Sequence, residues 1–166
     1  MFRFLAIAFS LIITLSISFY STPALAATGL NNGHLEPCPS SPNCVVSQDG
    51  DEKHAVDPIT YKGDRNDVKE ALLKVLSVVP RTEVIENTDN YIRTESTSRL
   101  FKFVDDAEFY FPEDENVIQV RSASRVGESD LGVNRRRIEQ IRLALADFLS
   151  QQSTVNSEQS TVNSQQ

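Results

Sequence analysis

Between residues 65 and 79 the apolar positions recur at helical spacing. Val68, Ala71, Leu72, Val75, Leu76 and Val79 fall at i, i+3, i+4, i+7, i+8 and i+11, one continuous stripe. Gly63-Asp64 offers a break and a cap, and Asp67 puts a carboxylate in the first turn, where the helix dipole favours it. Pro80 disfavours helical geometry in the residue before it. The pattern predicts a core-facing helix from about Arg65 to Val78. Beyond it the period drops to two. Thr82 to Glu86 and Tyr91 to Ser98 read as strands around an Asn87-Thr88-Asp89-Asn90 turn.

Phe101 to Phe111 reads as a longer strand. Phe101, Phe103, Asp105, Ala107, Phe109 and Phe111 share one face; Lys102, Val104, Asp106, Glu108 and Tyr110 share the other. Pro112-Glu113-Asp114-Glu115 is a turn, and Asn116 to Arg125 is the returning strand. A four-residue loop sets Phe111 opposite Asn116, so Phe109 faces Ile118 and Ala107 faces Val120. In that register Asp105 faces Ser122, Ser124 faces Phe103, and on the outer face Asp106 meets Arg121 and Glu108 meets Gln119. A slip of one residue would mix the two faces. A second helix is predicted from about Arg135 to Leu149, capped by Asn134, with Ile138, Ile141, Leu145, Phe148 and Leu149 buried. With a weaker strand near Asp57 to Tyr61, the order is β-α-β-β-β-β-α. The expected fold class is α+β, a mostly antiparallel sheet of four to five strands covered by two helices.

The ends of the chain read differently. Arg3, the apolar run Phe4 to Phe19 and Ala24-Leu25-Ala26 follow the grammar of a secretory signal. The run is shorter than the roughly 20 residues that span a bilayer. Cleavage is expected after Ala26, the alternative being an uncleaved N-terminal anchor. No Cys adjoins the cut, as a lipid anchor would require. Residues 27–35 are then a mature N-terminal arm and residues 36–150 a single domain. Ser153 to Gln159 (STVNSEQ) repeats as Ser160 to Gln166 (STVNSQQ), too polar to bury a core, so residues 151–166 are expected to be a disordered tail. Export to a periplasm, a thylakoid lumen or the medium follows, with no stable membrane span after cleavage.

Charge narrows the partners. The chain carries a net −7, and loss of Arg3 with the signal leaves fifteen basic against 23 acidic side chains. So acidic a surface repels nucleic-acid phosphates and anionic lipid, and no basic block offsets it. The candidate partners are a small anionic ligand or another protein; no cofactor is indicated.

Cys38 and Cys44 are the only cysteines, bracketing Pro-Ser-Ser-Pro-Asn. An oxidising compartment favours a disulfide between them. Free thiols and a metal site with His34 and His54 are the alternatives, though the regular spacings of zinc sites are missing.

Three features break the structural pattern close together. Asp105 lies on the Phe face, where a carboxylate is costly unless paired. Arg135, Arg136 and Arg137 crowd the start of the last helix, against its dipole. Val126 to Val133 carries two glycines and short polar residues, able to bring backbone N–H groups to a ligand. An anion or carboxylate site built from Asp105, Asp106, Arg121, Ser122, Ser124, Arg125, Asp130, Asn134 and Arg135 is one reading. The other is an ion-pair network in which Arg121, Arg125 and one of the three arginines neutralise Asp105, Asp106, Glu108 and Asp130. No catalytic residue stands out: neither histidine has a placed nucleophile, and Asp105 and Asp106 point to opposite faces of one strand.

Cys38-Pro39-Ser40-Ser41-Pro42-Asn43-Cys44-Val45-Val46-Ser47 resembles the opening of a family of bacterial and plastid proteins, domain of unknown function 1499. Val46 stands where that family commonly has Ser. Phe103-Val104-Asp105-Asp106-Ala107-Glu108-Phe109 resembles its F-x-DD-x-EF strand, and Arg121 through Arg137 resembles its RSASR-x-G-x-SD-x-G-x-NR-x-R signature. The resemblance spans about residues 36–146 and implies no known activity or cofactor. Three functions stay open: a non-enzymatic extracytoplasmic binding or accessory module, a small hydrolase or isomerase using Asp105 or Asp106, and a structural partner in an envelope or lumenal complex.

Overall fold

The computed structural model describes residues 28–163; the expected export signal and its expected cleavage after Ala26 lie outside them. The elements follow in the order β1 (Leu30–Asn31), β2 (His34–Leu35), β3 (Cys44–Val46), β4 (Ile59–Thr60), α1 (Arg65–Val78), β5 (Thr82–Asn87), β6 (Tyr91–Thr97), β7 (Val104–Tyr110), β8 (Val117–Ser124) and α2 (Val133–Asn163). This is an α+β fold. Its six-stranded sheet runs β3-β8-β7-β6-β5, with β4 also pairing β8, and every pairing between these strands is antiparallel. The N-terminal residues add a separate two-stranded hairpin, β1–β2.

The first helix starts and stops where its sequence signals place it. Asp64 accepts hydrogen bonds from the backbone N–H groups of Asn66 and Asp67, satisfying donors that have no intrahelical partner. Val68, Ala71, Leu72, Val75 and Leu76 are buried. They meet Ile92, Ala107, Phe109, Phe111, Ile118 and Val120 from the sheet and Ile138, Ile141 and Leu145 from α2 in one core. Phe148 and Leu149 pack on its edge.

Several expectations need correction. Hairpin β7–β8 pairs Phe109 with Val120, Ala107 with Ser122, Glu108 with Arg121, Asp106 with Ala123 and Asp105 with Ser124, two residues away from the expected register. The connection is longer than a four-residue loop: pairing ends at Tyr110 and Gln119, while Ile118 and Val117 pair Ile59 and Thr60 of β4. A slip of two keeps every side chain on its face. Phe101 and Phe103 fall outside β7 and stay exposed, their rings stacked at 5.5 Å. The strand sought at 57–61 is only Ile59–Thr60.

The face expected to meet water is also buried. Asn32 and Gly33, with φ of 51° and 80°, make the tight turn that Asn-Gly favours in hairpins. The β1–β2 hairpin lies over the sheet through Leu35, which packs with Val46, Tyr91, Cys38 and Tyr110. Gln48 holds the hairpin at both ends, accepting from Leu35 N and donating to Gly33 O. Glu108 is buried there, accepting from Gly29 N, and Asp106 is buried beside Arg93 and Arg125.

At the far end, α2 runs through Asn163, past the end expected near Leu149. Residues 133–163 contain neither Gly nor Pro to interrupt the backbone ladder, and Ser153 and Thr154 bond the carbonyls four residues back. No helix among the described residues is long and apolar enough to cross a membrane.

Candidate functional site

Cys38 and Cys44 form a disulfide, with Cα atoms 5.6 Å apart, so neither is available to a metal. His34 pairs with Asp49, and His54 sits between Asp51 Oδ1 at 2.7 Å and the Ser41 carbonyl at 3.2 Å. The backbone N–H of His54 holds the Asp51 carboxyl below its usual range. The described residues contain no group of three or more His, Cys, Asp or Glu suited to a metal ion.

The strand period sends the signature residues to two sides of the sheet. Facing α2 are Asp105, Ser122 and Ser124, and the helix meets them with Asn134 and Arg137. Asn134 is not the cap: it lies inside α2, fully buried, and uses its whole amide. Its Nδ2 donates to Asn43 O at 2.9 Å and Ser124 Oγ at 3.0 Å. Its Oδ1 accepts from Ser122 Oγ and Arg137 Nη1, both at 2.6 Å. The cap is Asp130, whose carboxylate accepts from Gly132 N and Asn134 N. Arg137 Nη2 reaches Asp105 Oδ2 at 2.6 Å. The carboxylate on the apolar face thus has its counter-charge on the helix.

On the opposite side Arg125 grips Asp106 through two nitrogens at 2.8 and 2.9 Å and also bonds Glu95. Arg93 bonds the same two acids. The hydrogen bonds to Asp106 hold the Arg125 guanidinium more firmly charged than usual; for Arg93, burial pulls the other way but the bonds to Asp106 and Glu95 prevail. Deeper in, Arg121 Nη1 donates to Glu108 Oε2 at 2.7 Å, while Tyr91 OH and Gly29 N donate to Glu108 Oε1, each at 2.7 Å. Burial, then the neighbouring Glu108, pushes the Tyr91 phenol above its usual pKa.

The nine residues singled out from sequence therefore divide. Asp105, Ser122, Ser124, Asn134 and Asp130 gather at the start of α2; Asp106, Arg121 and Arg125 lie across the sheet from them. Arg135 joins neither group, since its guanidinium donates to the carbonyls of Ala55 and Lys53. Nor does the glycine-bearing loop present open N–H groups at the helix start, because Asp130 occupies those of Gly132 and Asn134.

A different opening lies beside Asp105. A groove of about 370 Å³ runs between the α1–β5 turn, the end of β6 and the first turns of α2, lined by Pro80, Arg81, Ser98, Arg99, Asp105, Val133, Arg136, Arg137 and Gln140 among others. Arg81 Nε donates to the Thr97 carbonyl and Arg136 Nη1 to the Leu131 carbonyl, so neither meets a carboxylate. Arg99 is exposed and engages no hydrogen-bond or ion-pair partner among the described residues. Four guanidiniums thus face one carboxylate, and that carboxylate already belongs to Arg137. Sequence reasoning missed Arg81 and Arg99 because only the β5–β6 pairing, Thr82 opposite Ser96, brings them beside α2.

The family model described as protein of unknown function (DUF1499) matches residues 34–145, from β2 to the last buried residue of the α2 core. No curated protein matches the chain. The match covers well over half the sequence and contains both polar clusters and the disulfide loop. The chain belongs to the DUF1499 family of proteins of unknown function.

Proposed function

We propose that this domain is a non-enzymatic binding module outside the cytoplasm, and that its ligand is an anion taken up in the arginine groove. The observation that carries this is the unbalanced charge: Arg81, Arg99 and Arg136 open into a groove whose one carboxylate, Asp105, is already paired with Arg137. Guanidiniums match carboxylate and phosphate oxygens in pairs, and the groove is large enough for a small polyvalent anion. An extracytoplasmic setting is supported by the signal-like N-terminus and by a disulfide, which cytosolic thiol chemistry would reduce.

A thermal-shift series with phosphate, sulfate and di- and tricarboxylates at low salt tests the reading. A stabilising anion is expected, its effect lost in Arg99→Ala/Arg136→Ala and kept in Arg135→Ala, whose side chain lies elsewhere. No stabilisation by any anion, or stabilisation indifferent to the double substitution, removes the proposal. A hydrolase or isomerase built on the Asp105–Asp106 pair has less support, because the two carboxylates lie on opposite faces of β7 and each is held in an ion pair.

A further inference from the structure

The groove opens at one end of the sheet, and that end is unlike the rest of the surface. Antiparallel pairing brings the loop after β6 (residues 98–103) and the loop after β8 (residues 125–132) to the same edge, since Thr97 pairs Val104 and Asp105 pairs Ser124. Leu100, Phe101 and Phe103 on the first loop and Val126 and Leu131 on the second are exposed, and Val133 stands beside them at the head of α2. Leu131 is 84% exposed, Leu100 78% and Phe101 69%, so the apolar groups project from loop tips instead of lining a cleft. Lys102, with φ of 56°, turns the backbone between the two stacked phenylalanines.

Cations flank the first tip, Arg99 and Lys102 on the loop itself and Arg81 and Arg136 across the groove, while the second loop adds the exposed Glu128. Protruding apolar side chains flanked by Arg and Lys are the combination that enters the boundary between acyl chains and anionic headgroups. A protein partner would more commonly be met by a broad face with aromatic anchors in pockets. We infer that this end docks the domain on an anionic phospholipid surface, with the 98–103 loop dipping into the interface and Arg99 and Arg136 taking headgroup phosphates. The inference rests on the groove's being an anion site and names the source of the anion.

The test uses the chain lacking residues 1–26, so that the apolar N-terminal segment does not itself bind lipid. Co-sedimentation is measured with phosphatidylglycerol-rich vesicles and with phosphatidylcholine alone. Binding to the first and not the second is expected. Phe101→Ser/Phe103→Ser should lose about tenfold or more in vesicle affinity while keeping its melting temperature and its stabilisation by inorganic phosphate. Arg99→Ala/Arg136→Ala should lose both vesicle binding and phosphate stabilisation. If the wild-type chain ignores anionic vesicles, or the phenylalanine variant binds them as tightly, membrane docking is overturned. Phosphate stabilisation that survives such a result would leave the anion groove standing; its absence together with vesicle binding would remove the groove and keep the docking end.

Discussion

Glu108 shows what one buried side chain asks of its surroundings. It is fully buried yet receives Arg121, Tyr91 and the Gly29 N–H, so its charge is met from three directions. Arg121 is equally buried, and its Nε has no hydrogen-bond partner among the described residues. Removing the partner charge leaves a guanidinium stranded in low dielectric, so Glu108→Gln should cost about 3–5 kcal/mol in denaturant unfolding. A loss below about 1 kcal/mol would mean that water reaches the pair. Tyr91 tests the same cluster by pH. Its phenol titrates above its usual 10.0 in the folded protein, chiefly because it is buried. Above pH 10 the unfolded chain releases that proton while the folded chain keeps it, so stability falls as pH rises through this range. Tyr91→Phe should be less stable by about 1–3 kcal/mol at pH 7, through the lost bond to Glu108, and the gap should narrow above pH 10. A gap constant with pH would place the phenol in contact with solvent.

Among the elements, legibility followed the range of the interactions that decide each one. The bounds of α1 could be read because its cap, stripe and terminating proline are all local. The faces of β7 and β8 could be read because a period of two survives a slip of two, whereas their register could not: it follows from a four-residue loop only if that loop forms, and the pairing ends earlier, at Tyr110 and Gln119. Burial of Glu108 was hidden in the Asn32-Gly33 turn, a hairpin signal in a segment read as an N-terminal arm. Within the candidate site, the Asp105–Arg137 pair was foreseeable as one acid needing one of three arginines, while Arg81 and Arg99 were not, since sheet pairing alone assembles the groove. The end of α2 is the converse case, where the apolar stripe stops at Leu149 and the helix runs on without one. Residues 151–155 are exposed, and the core contacts of α2 end at Leu149. Deleting residues 151–166 should therefore lower far-UV helicity but shift unfolding by less than about 1 kcal/mol, because helix stability comes mainly from packing. A larger loss would show that the extension braces the domain.

For the whole molecule, a net charge of −7 argued against any anionic surface as a partner, and the distribution of charge alters that conclusion. The exposed acids Asp89, Glu113, Asp114 and Glu115 sit in the turns at the end of the sheet opposite the arginine groove. The seven residues of β7 separate the two ends, roughly 23 Å at about 3.3 Å per residue. The Debye length is about 8 Å at physiological ionic strength, so a phosphate at the groove is shielded from the distal acids; at about 0.01 M salt it lengthens to about 30 Å and those acids are felt. Net charge is then the wrong quantity for judging this contact, and its local sign is the right one. Glu113→Gln/Asp114→Asn/Glu115→Gln should leave affinity for anionic vesicles within about twofold of wild type at physiological salt, yet raise it several-fold at about 0.01 M. Co-sedimentation at the two salt concentrations decides it. A large gain already at physiological salt would mean that the acidic surface as a whole governs approach, and the basic end would lose its claim to act independently.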